Sequence, residues 1–545
     1  MKISKATLST IILILALSFS QEISAQQTHP ELQSIEPSRI KGHMTFLADD
    51  LLRGRAVGSE GFEIASNYVQ SQFISLGLKP ACSDGTYKQV VPFKQAIVNT
   101  EKSYVALDGN KLEWGETYIL SPFFEAADSE IEASLVFVGY GVSAPEFNYD
   151  DYAGVDVKNK IVVYINDAPA TFPSNEKANY TTGTVKYETA IAHGAIGVIN
   201  FMHPDNKRRP WLSTVSRSKD GRYLWTSPEG KTPASQPEIK GAVTFNNEKI
   251  DQLFGQKIPQ FKDALESLAA GKPSSFSMNN TAQIHTETES KMVMSHNLLA
   301  EIEGSDPLLK NEYLVYAAHV DHLGIGRVVN GDSIYNGAHD NASGVAILLE
   351  IAKTFKAAAH MPKRSVLFAV VTGEESGLLG SDYLAHYPPE GKENMVANIS
   401  MDMPFFFHPI LDVVPYGAAH SSLGKTTEAA TKALGLEISP DPFPEQVIFI
   451  RSDHYSFVKK GIPALFIKSG FKTIPEDTVD RSVTDLKWRT THYHTPQDDM
   501  NQDFDFNAAA MHVKLNYLIG KMVLNDVSKP TWNKGDFFGN KTGKK

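Results

Sequence analysis

Only one of the 545 residues, Cys82, is a cysteine, so no disulfide can form within the chain, and stability has to come from packing and from whatever the protein binds. Long basic runs are missing as well. The formal net charge is -11 and the short patch Lys207-Arg208-Arg209 reads as solvated surface, which argues against nucleic acid as a partner, because that affinity rests on Lys and Arg meeting phosphates. Internal repeats and low-complexity segments are also lacking. The apolar run Ile11 to Leu17 falls well short of the ~20 residues a membrane-spanning helix needs. With Lys2 and Lys5 before it and small residues ending at Ala25 after it, the run reads as a secretory signal peptide over residues 1–25. No cysteine follows that could carry a lipid. The expectation is an exported protein, periplasmic or secreted, without a membrane anchor once the signal is removed.

What the chain does have is length and apolar content enough for roughly two to four domains with real cores. "GSEGFEIASNYVQSQFISLGL" carries Ile64, Tyr68, Phe73 and Leu76 at helical spacing and stops at Gly77, a natural left-handed cap; "YKQVVPF" then reads as a strand. Residues 26–100 are thus the opening part of a main domain. From 101 to 289 strand-like runs such as "SLVFVGYG" and "KIVVYIN" alternate with loops rich in Pro, Asn and Asp, the texture of an inserted, mainly-β domain. From 290 to 530 apolar strands alternate with helices: "YLVYAAH", a helix opening at Asn341, "RSVLFAVVT", a helix around Leu378 to His386, "ANISMD" and "ALFIKSG". Continuous apolar strands between helices imply an α/β fold whose mostly parallel sheet is flanked by helices on both faces, with function at the C-terminal strand ends. Residues 531–545 read as a loose tail.

Three of those strands end in residues that bind metals. "VYAAHVDHLG" closes with His319 and Asp321, "FAVVTGEESGLLGS" with Glu374 and Glu375, and "NISMDM" with Asp402; Asp340 stands in "NGAHDNASGVAILLE" and His494 in "THYHTPQDD". Each alone has a plainer explanation: Asp340, Asn341 and Ser343 are all helix-capping types, Glu374-Glu375 suits a helix start, and Asp402 suits a turn. One cap needs one side chain, however, and ionisable residues at several ends of one sheet converge on one cleft. Two zinc ions carry four positive charges. Asp340, Glu375, Asp402 and a bridging hydroxide carry four negative ones, with His319 and His494 as neutral imidazole donors suited to zinc. With Asp340 shared, five side chains can hold two metals. Asp321, two residues after His319, is placed to accept the other ring N–H of that histidine.

With these residues in hand, "AAHVDHLG", "GAHDNASGVAILLE", "RSVLFAVVTGEESGLLGS", "NISMDM", "RSDHYSFVKKGIPALF" and "YHTPQDD" resemble, in order and over roughly Ser295 to Asp499, the secreted dinuclear-zinc aminopeptidases. Their superfamily also holds glutamate carboxypeptidase II, the transferrin receptor and glutaminyl cyclase. "HMTFLADDLLRGRAVGSEG" is similar to the family's opening helix region, and "VFVGYGVSAPEFNYDDYAGVDVKNKIVVYIND" with "ETAIAHGAIGVINF" resembles a protease-associated domain. The resemblance implies a zinc exopeptidase fold with two zinc ions per chain. It implies that Asp340 bridges them, with Glu375 and His494 on one ion and His319 and Asp402 on the other, and that the Asp340–Asn341 peptide is cis. Glu374 is the implied general base, and Tyr493 the implied hydrogen-bond donor to the oxyanion. The sequence departs from many relatives at His339, where they carry a second aspartate.

The function expected is hydrolysis of N-terminal residues from peptides. A carboxypeptidase or dipeptidase, a glutaminyl cyclase, or a catalytically silent binding protein on the same scaffold stands as the alternative. Which end of the peptide is trimmed is not written in the residues. "PFFFHP" after Met403 reads either as an apolar specificity pocket or as core, with core favoured for three phenylalanines at a sheet end.

Overall fold

Tyr313 to His319 is an apolar run with a histidine at its end, and in the computed structural model it is a strand buried at every position. The model describes residues 29–206, 210–474, 476–541 and 543, so the expected signal peptide and the Lys207-Arg208-Arg209 patch lie outside the described residues. In the larger sheet this strand pairs in parallel with Ser365–Val371 on one side and Met395–Ser400 on the other. Ala464–Ser469 continues the parallel set, and Asp412–Tyr416 and Ser275–Ile302 flank it antiparallel. Alternation of side chains along the strand explains why both faces are apolar. Leu314 and Tyr316 face one layer of helices, including Ser343–Ala357 and Phe506–Asn525, while Val315 and Ala317 face the other with Leu384 and Phe457. The expected α/β fold with helices on both faces is what forms.

The insert has its own core, in which Leu135, Phe137, Val163, Phe201 and Val243 meet Phe254 and Phe261. Ile161–Ile165 pairs in parallel with Asp128–Val138 and with Gly197–Phe201, and the latter in parallel with Gly241–Phe245. Parallel neighbours need crossovers, so the insert also contains helices, such as Ser174–Thr181 and Gly183–Ala192 between two of these strands. It is therefore less purely β than expected. No break marks its C-terminal limit, because Ser275–Ile302 is one continuous strand: its residues 275–287 pair within the insert sheet, and 288–298 pair with Lys88–Val98 in the larger sheet.

Other local expectations also met packing. The first long helix runs Glu60–Ser75 with Gly77 at φ 65°, but Ile64 faces solvent, and Phe62, Ala65 and Val69 take the buried positions beside Phe73. The C-terminal residues up to 541 are not loose. Phe537–Lys541 is a short helix, Phe538 is buried, Asp536 lies 2.7 Å from His420 Nδ1, and Trp532 Nε1 donates to Gly461 O at 3.0 Å. Aromatic side chains at 532, 537 and 538 supply the burial that outweighs the polar composition of the segment. Among the described residues no helix is long and apolar enough to cross a membrane.

Candidate metal centre

The loop before Ser343–Ala357 is held from several sides. The backbone N–H groups of His339 and Asp340 donate to the two oxygens of Asp498, at 2.9 Å each. Arg55, fully buried, donates to Val320 O at 2.8 Å and Gly337 O at 3.0 Å. Asn341 takes the capping work: its Oδ1 accepts from Gly344 N at 2.9 Å and its Nδ2 donates to Met401 O at 3.0 Å. The α-helix itself begins at Ser343, two residues later than expected, after a turn in which Asp340 and Asn341 have non-helical backbone angles and are joined by a cis peptide bond. Asp340 is left with no capping role and with its carboxylate turned into the cleft.

There its two oxygens face different partners. Oδ1 lies 3.4 Å from His319 Nε2, and Oδ2 lies 3.1 Å from His494 Nε2. His319 Nε2 is also 3.7 Å from Asp402 Oδ1 and 3.9 Å from Glu374 Oε2; His494 Nε2 is also 3.1 Å from Glu375 Oε2. Two clusters of possible donors result, His319 with Glu374 and Asp402, and His322 with Asp340 and Glu375. His319, Glu374, Glu375 and Asp402 reach the cleft because their strands end there, as the sequence indicated. His494 arrives from the turn after the helix Arg481–Thr491, at φ 56°.

Electrostatics set this cleft apart. Burial drives Glu374 well above the usual carboxylate range, with Asp402, Glu375 and Asp453 adding to the effect and His319 opposing it. Burial also opposes charge on His319 and His494. Glu374, Asp340 and Asp402 nonetheless raise His319 well above the ordinary histidine value, and Glu375 and Asp340 raise His494 to about 9. Burial raises Asp453 to about 7 and Asp321 and Asp498 to about 6. Within the same space His319 Nε2 and Asp402 Oδ1 are buried without a hydrogen-bond partner. Buried polar atoms normally find one.

One expected role changes hands. The ring N–H of His319 is positioned by the backbone carbonyl of Asp321, 3.1 Å from Nδ1, whereas the Asp321 carboxylate is 4.0 Å away. That carboxylate instead accepts from the backbone N–H groups of Glu374 and Glu375 at 3.3 and 3.4 Å, because the strand bearing Glu374 runs beside its own. The phenylalanines after Met403 settle as core: Phe405 and Phe406 are buried and, with Phe407 and Trp488, enclose the His339 ring at centroid distances of 4.9 to 5.8 Å. His339 is fully buried, and burial pushes it well below the usual histidine range.

Residues 297–518 match the model of peptidase family M28. That segment is similar to an M28 peptidase domain. A probable zinc metalloprotease of Pyrenophora teres f. teres (strain 0-1) is 28% identical over 256 residues, covering 40% of this chain and 50% of that protein. Leupeptin-inactivating enzyme 1 of Streptomyces exfoliatus is 28% identical over 200 residues, covering 35% and 39%. The match spans about half the length of the first of these relatives. In fold, an aminopeptidase from Aneurinibacillus sp. strain AM-1 aligns over 93% of this chain and 100% of its own, with a TM-score of 0.52 at 20% identity.

Around this centre stand residues to which the sequence reading gave no role. His322 Nδ1 lies 2.7 Å from Glu375 Oε1, and its place in "HVDHLG", three residues after His319, was the available signal. Asp498 was visible only as part of "TPQDD". Arg451 Nη2 donates to the Tyr493 hydroxyl at 3.1 Å, and the Tyr493 and His494 rings stack at 3.8 Å. From the insert, Arg217 Nη2 donates to His494 Nδ1 at 3.0 Å. No local motif announces that contact, since the two residues are 277 positions apart.

Proposed function

We propose that this protein is a zinc-dependent aminopeptidase that removes N-terminal residues from peptides and holds two zinc ions per chain. The observation that carries the reading is the aim of Asp340, one oxygen toward His319 and the other toward His494, as a carboxylate shared by two cations requires. The donors fit the metal. Imidazole nitrogens and carboxylate oxygens are a set zinc accepts, and the unpartnered buried atoms of His319 and Asp402 are ones a cation would satisfy. Asp340 with His319 and Asp402 would hold one ion, and Asp340 with Glu375 and His494 the other. His322, against Glu375, steadies that ligand.

Bound at such donors, zinc supplies Lewis acidity, polarising the scissile carbonyl and making water easier to deprotonate. Glu374 takes the proton of the attacking water and returns it to the leaving amine. Its burial and acidic surroundings make it a ready proton acceptor. Tyr493, held by Arg451, donates its hydroxyl to the oxygen that gains charge. Asp321 fixes the backbone from which Glu374 and Glu375 project. The insert acts as a protease-associated domain bordering the cleft, and the N-terminal pattern fits export to the periplasm or beyond.

The test is mass spectrometry of a peptide pool, half of it N-acetylated, incubated with the purified protein with and without a chelator, alongside a zinc count. Stepwise loss from free N-termini only, stopped by the chelator, together with about two zinc per chain, is the expected result. Trimming from the C-terminus would reverse the polarity, one zinc would favour a cyclase, and no metal with no trimming would leave a binding protein.

A further inference from the structure

Where the insert meets the C-terminal segment, the structure leaves a cavity of about 1020 Å³. That is at the top of the roughly 300–1,000 Å³ range of small-molecule pockets, and none of the residues lining it belongs to the metal centre. One wall is the turn Pro145–Phe147 with the helices Ser174–Thr181 and Gly183–Ala192 of the insert; the other is the chain from Asn533 to Lys541. Both walls are tied to the peptidase body by His420, whose Nδ1 lies 2.7 Å from Asp536 Oδ2 and whose Nε2 lies 2.7 Å from Asn175 Nδ2. The spacing between the walls is therefore set by the fold.

The lining combines rings with acids. Phe147 and Phe537 are stacked at a centroid distance of 6.2 Å, and the Tyr180 ring stands 5.9 Å from Phe537. Lys541 Nζ lies 5.0 Å from the centroids of both Tyr180 and Phe537, so an ammonium group of the chain itself rests against the ring faces, where the quadrupole attracts a cation. Glu146 and Glu188 are close enough to favour that charge, and the Tyr180 hydroxyl donates to Glu146. Asp536 is taken up by His420, which leaves Glu146, Glu176 and Glu188 facing Lys534 and Lys541. Among the described residues neither Glu176 nor Glu188 forms an ion pair. Lys541 thus shows which group suits the place: a positive head at the ring faces, a methylene stem along them and carboxylates in reach. One side chain neither fills such a volume nor uses all of its acids.

We propose that this cavity is a second binding site, for a primary alkylammonium group, and that Lys541 occupies part of it as an internal competitor. The lysine side chain of a peptide and a free diamine share that chemistry. Neither needs the metal centre, so the site stands or falls apart from the peptidase reading.

The experiment is a ligand-observed NMR titration of the zinc-loaded full chain and its Glu188→Gln and Lys541→Ala variants, with melting temperatures to show that the variants are folded. The probes are Nα-acetyl-lysine N-methylamide, which has no free α-amine to engage an aminopeptidase site, and cadaverine. Each is compared with a neutral counterpart, the norleucine derivative and pentane-1,5-diol. The expected result is a Kd about tenfold or more lower for at least one amine than for its neutral counterpart. Glu188→Gln should weaken that binding several-fold, and Lys541→Ala, by removing the competitor, should strengthen it several-fold. Tighter binding of the blocked lysine points to a peptide as the source and tighter binding of the diamine to a free amine, and either supports the site. Equal binding of amines and neutral counterparts overturns the proposal, and a preference that Glu188→Gln leaves unchanged overturns it by placing the amine elsewhere. Binding that Lys541→Ala weakens or leaves unchanged overturns the role of Lys541 as competitor.

Discussion

In the insert, Asp151 and Lys186 are both buried, and both are answered in full. Asp151 accepts from Tyr140 N at 3.0 Å, Val142 N at 3.1 Å and the Tyr149 hydroxyl at 2.8 Å, while Lys186 donates to Asp167 O at 2.7 Å and to Tyr140 O. Burial disfavours the charge on each, raising the carboxyl and lowering the ammonium, and each charge offsets part of that for the other. In the cleft, Asp321, Asp340, Glu374, Glu375, Asp402, Asp453 and Asp498 crowd around three histidines and Arg55, and several of the buried atoms have no hydrogen bond. Both regions bury charge at a cost. The insert covers that cost with its own groups, so its cluster is structural, whereas the cleft is finished only by something that brings positive charge.

That contrast can be broken from either side. The largest effect is expected at Glu374: Glu374→Gln should lower turnover by about 10²- to 10⁴-fold, the scale of general acid–base catalysis, with the zinc content of the purified protein unchanged. Unchanged turnover, or loss of metal, would remove Glu374 from the role of base. In the insert, Lys186→Met leaves Tyr140 O without its buried donor and removes a charge that offsets part of the burial cost of Asp151, and should lower stability by about 1–3 kcal/mol, read in a urea or thermal melt. Replacing both residues by apolar ones should cost clearly less, and if the single and double changes cost the same, the two are not a pair. Zinc should raise the melting temperature of the wild-type protein, with about 4 kcal/mol of stabilisation at a thousandfold excess over Kd. Asp340→Asn should abolish most of that gain, and Lys186→Met should leave it intact.

The effect that is smallest per unit of the variable changed concerns pH. His512 is buried with its Nε2 2.9 Å from the Ser469 hydroxyl, and burial, with Lys468 adding, pushes it down to about 3. Between that value and the ordinary histidine range near 6.5 the unfolded chain binds the extra proton. Stability is therefore retained above about pH 6.5 and falls as pH drops toward 3, by at most about 1.4 kcal/mol per pH unit for this one group. Melts of His512→Gln across that window should show a shallower slope, and an unchanged slope would mean that the ring is not titrating there.

The strand ends were legible in the sequence because continuous apolar runs leave little choice but a buried parallel sheet, and a polar residue closing such a run has to emerge at its edge. His319, Glu374, Glu375 and Asp402 follow from that alone. Asp340 followed from an excess of capping residues, and in the folded protein Asn341 does the capping. Asp321 was misassigned because spacing along one strand suggested a bond within it, while the neighbouring strand offered two backbone N–H groups at better positions. His322, Asp498 and Arg55 were overlooked because each acts on atoms brought near only by folding.

By itself the sequence determined the α/β alternation, the single free cysteine and the residue types available for chemistry, since these depend on local periodicity and composition. Tertiary structure alone decided that the two oxygens of Asp340 point to different histidines, that the chain up to residue 541 packs onto the body, and that Arg217 of the insert reaches His494. The physical reason is the length over which each is set. Hydrophobic periodicity is encoded within a turn or a pleat, but the meeting of residues hundreds of positions apart depends on how one long strand, Ser275–Ile302, ties two sheets together.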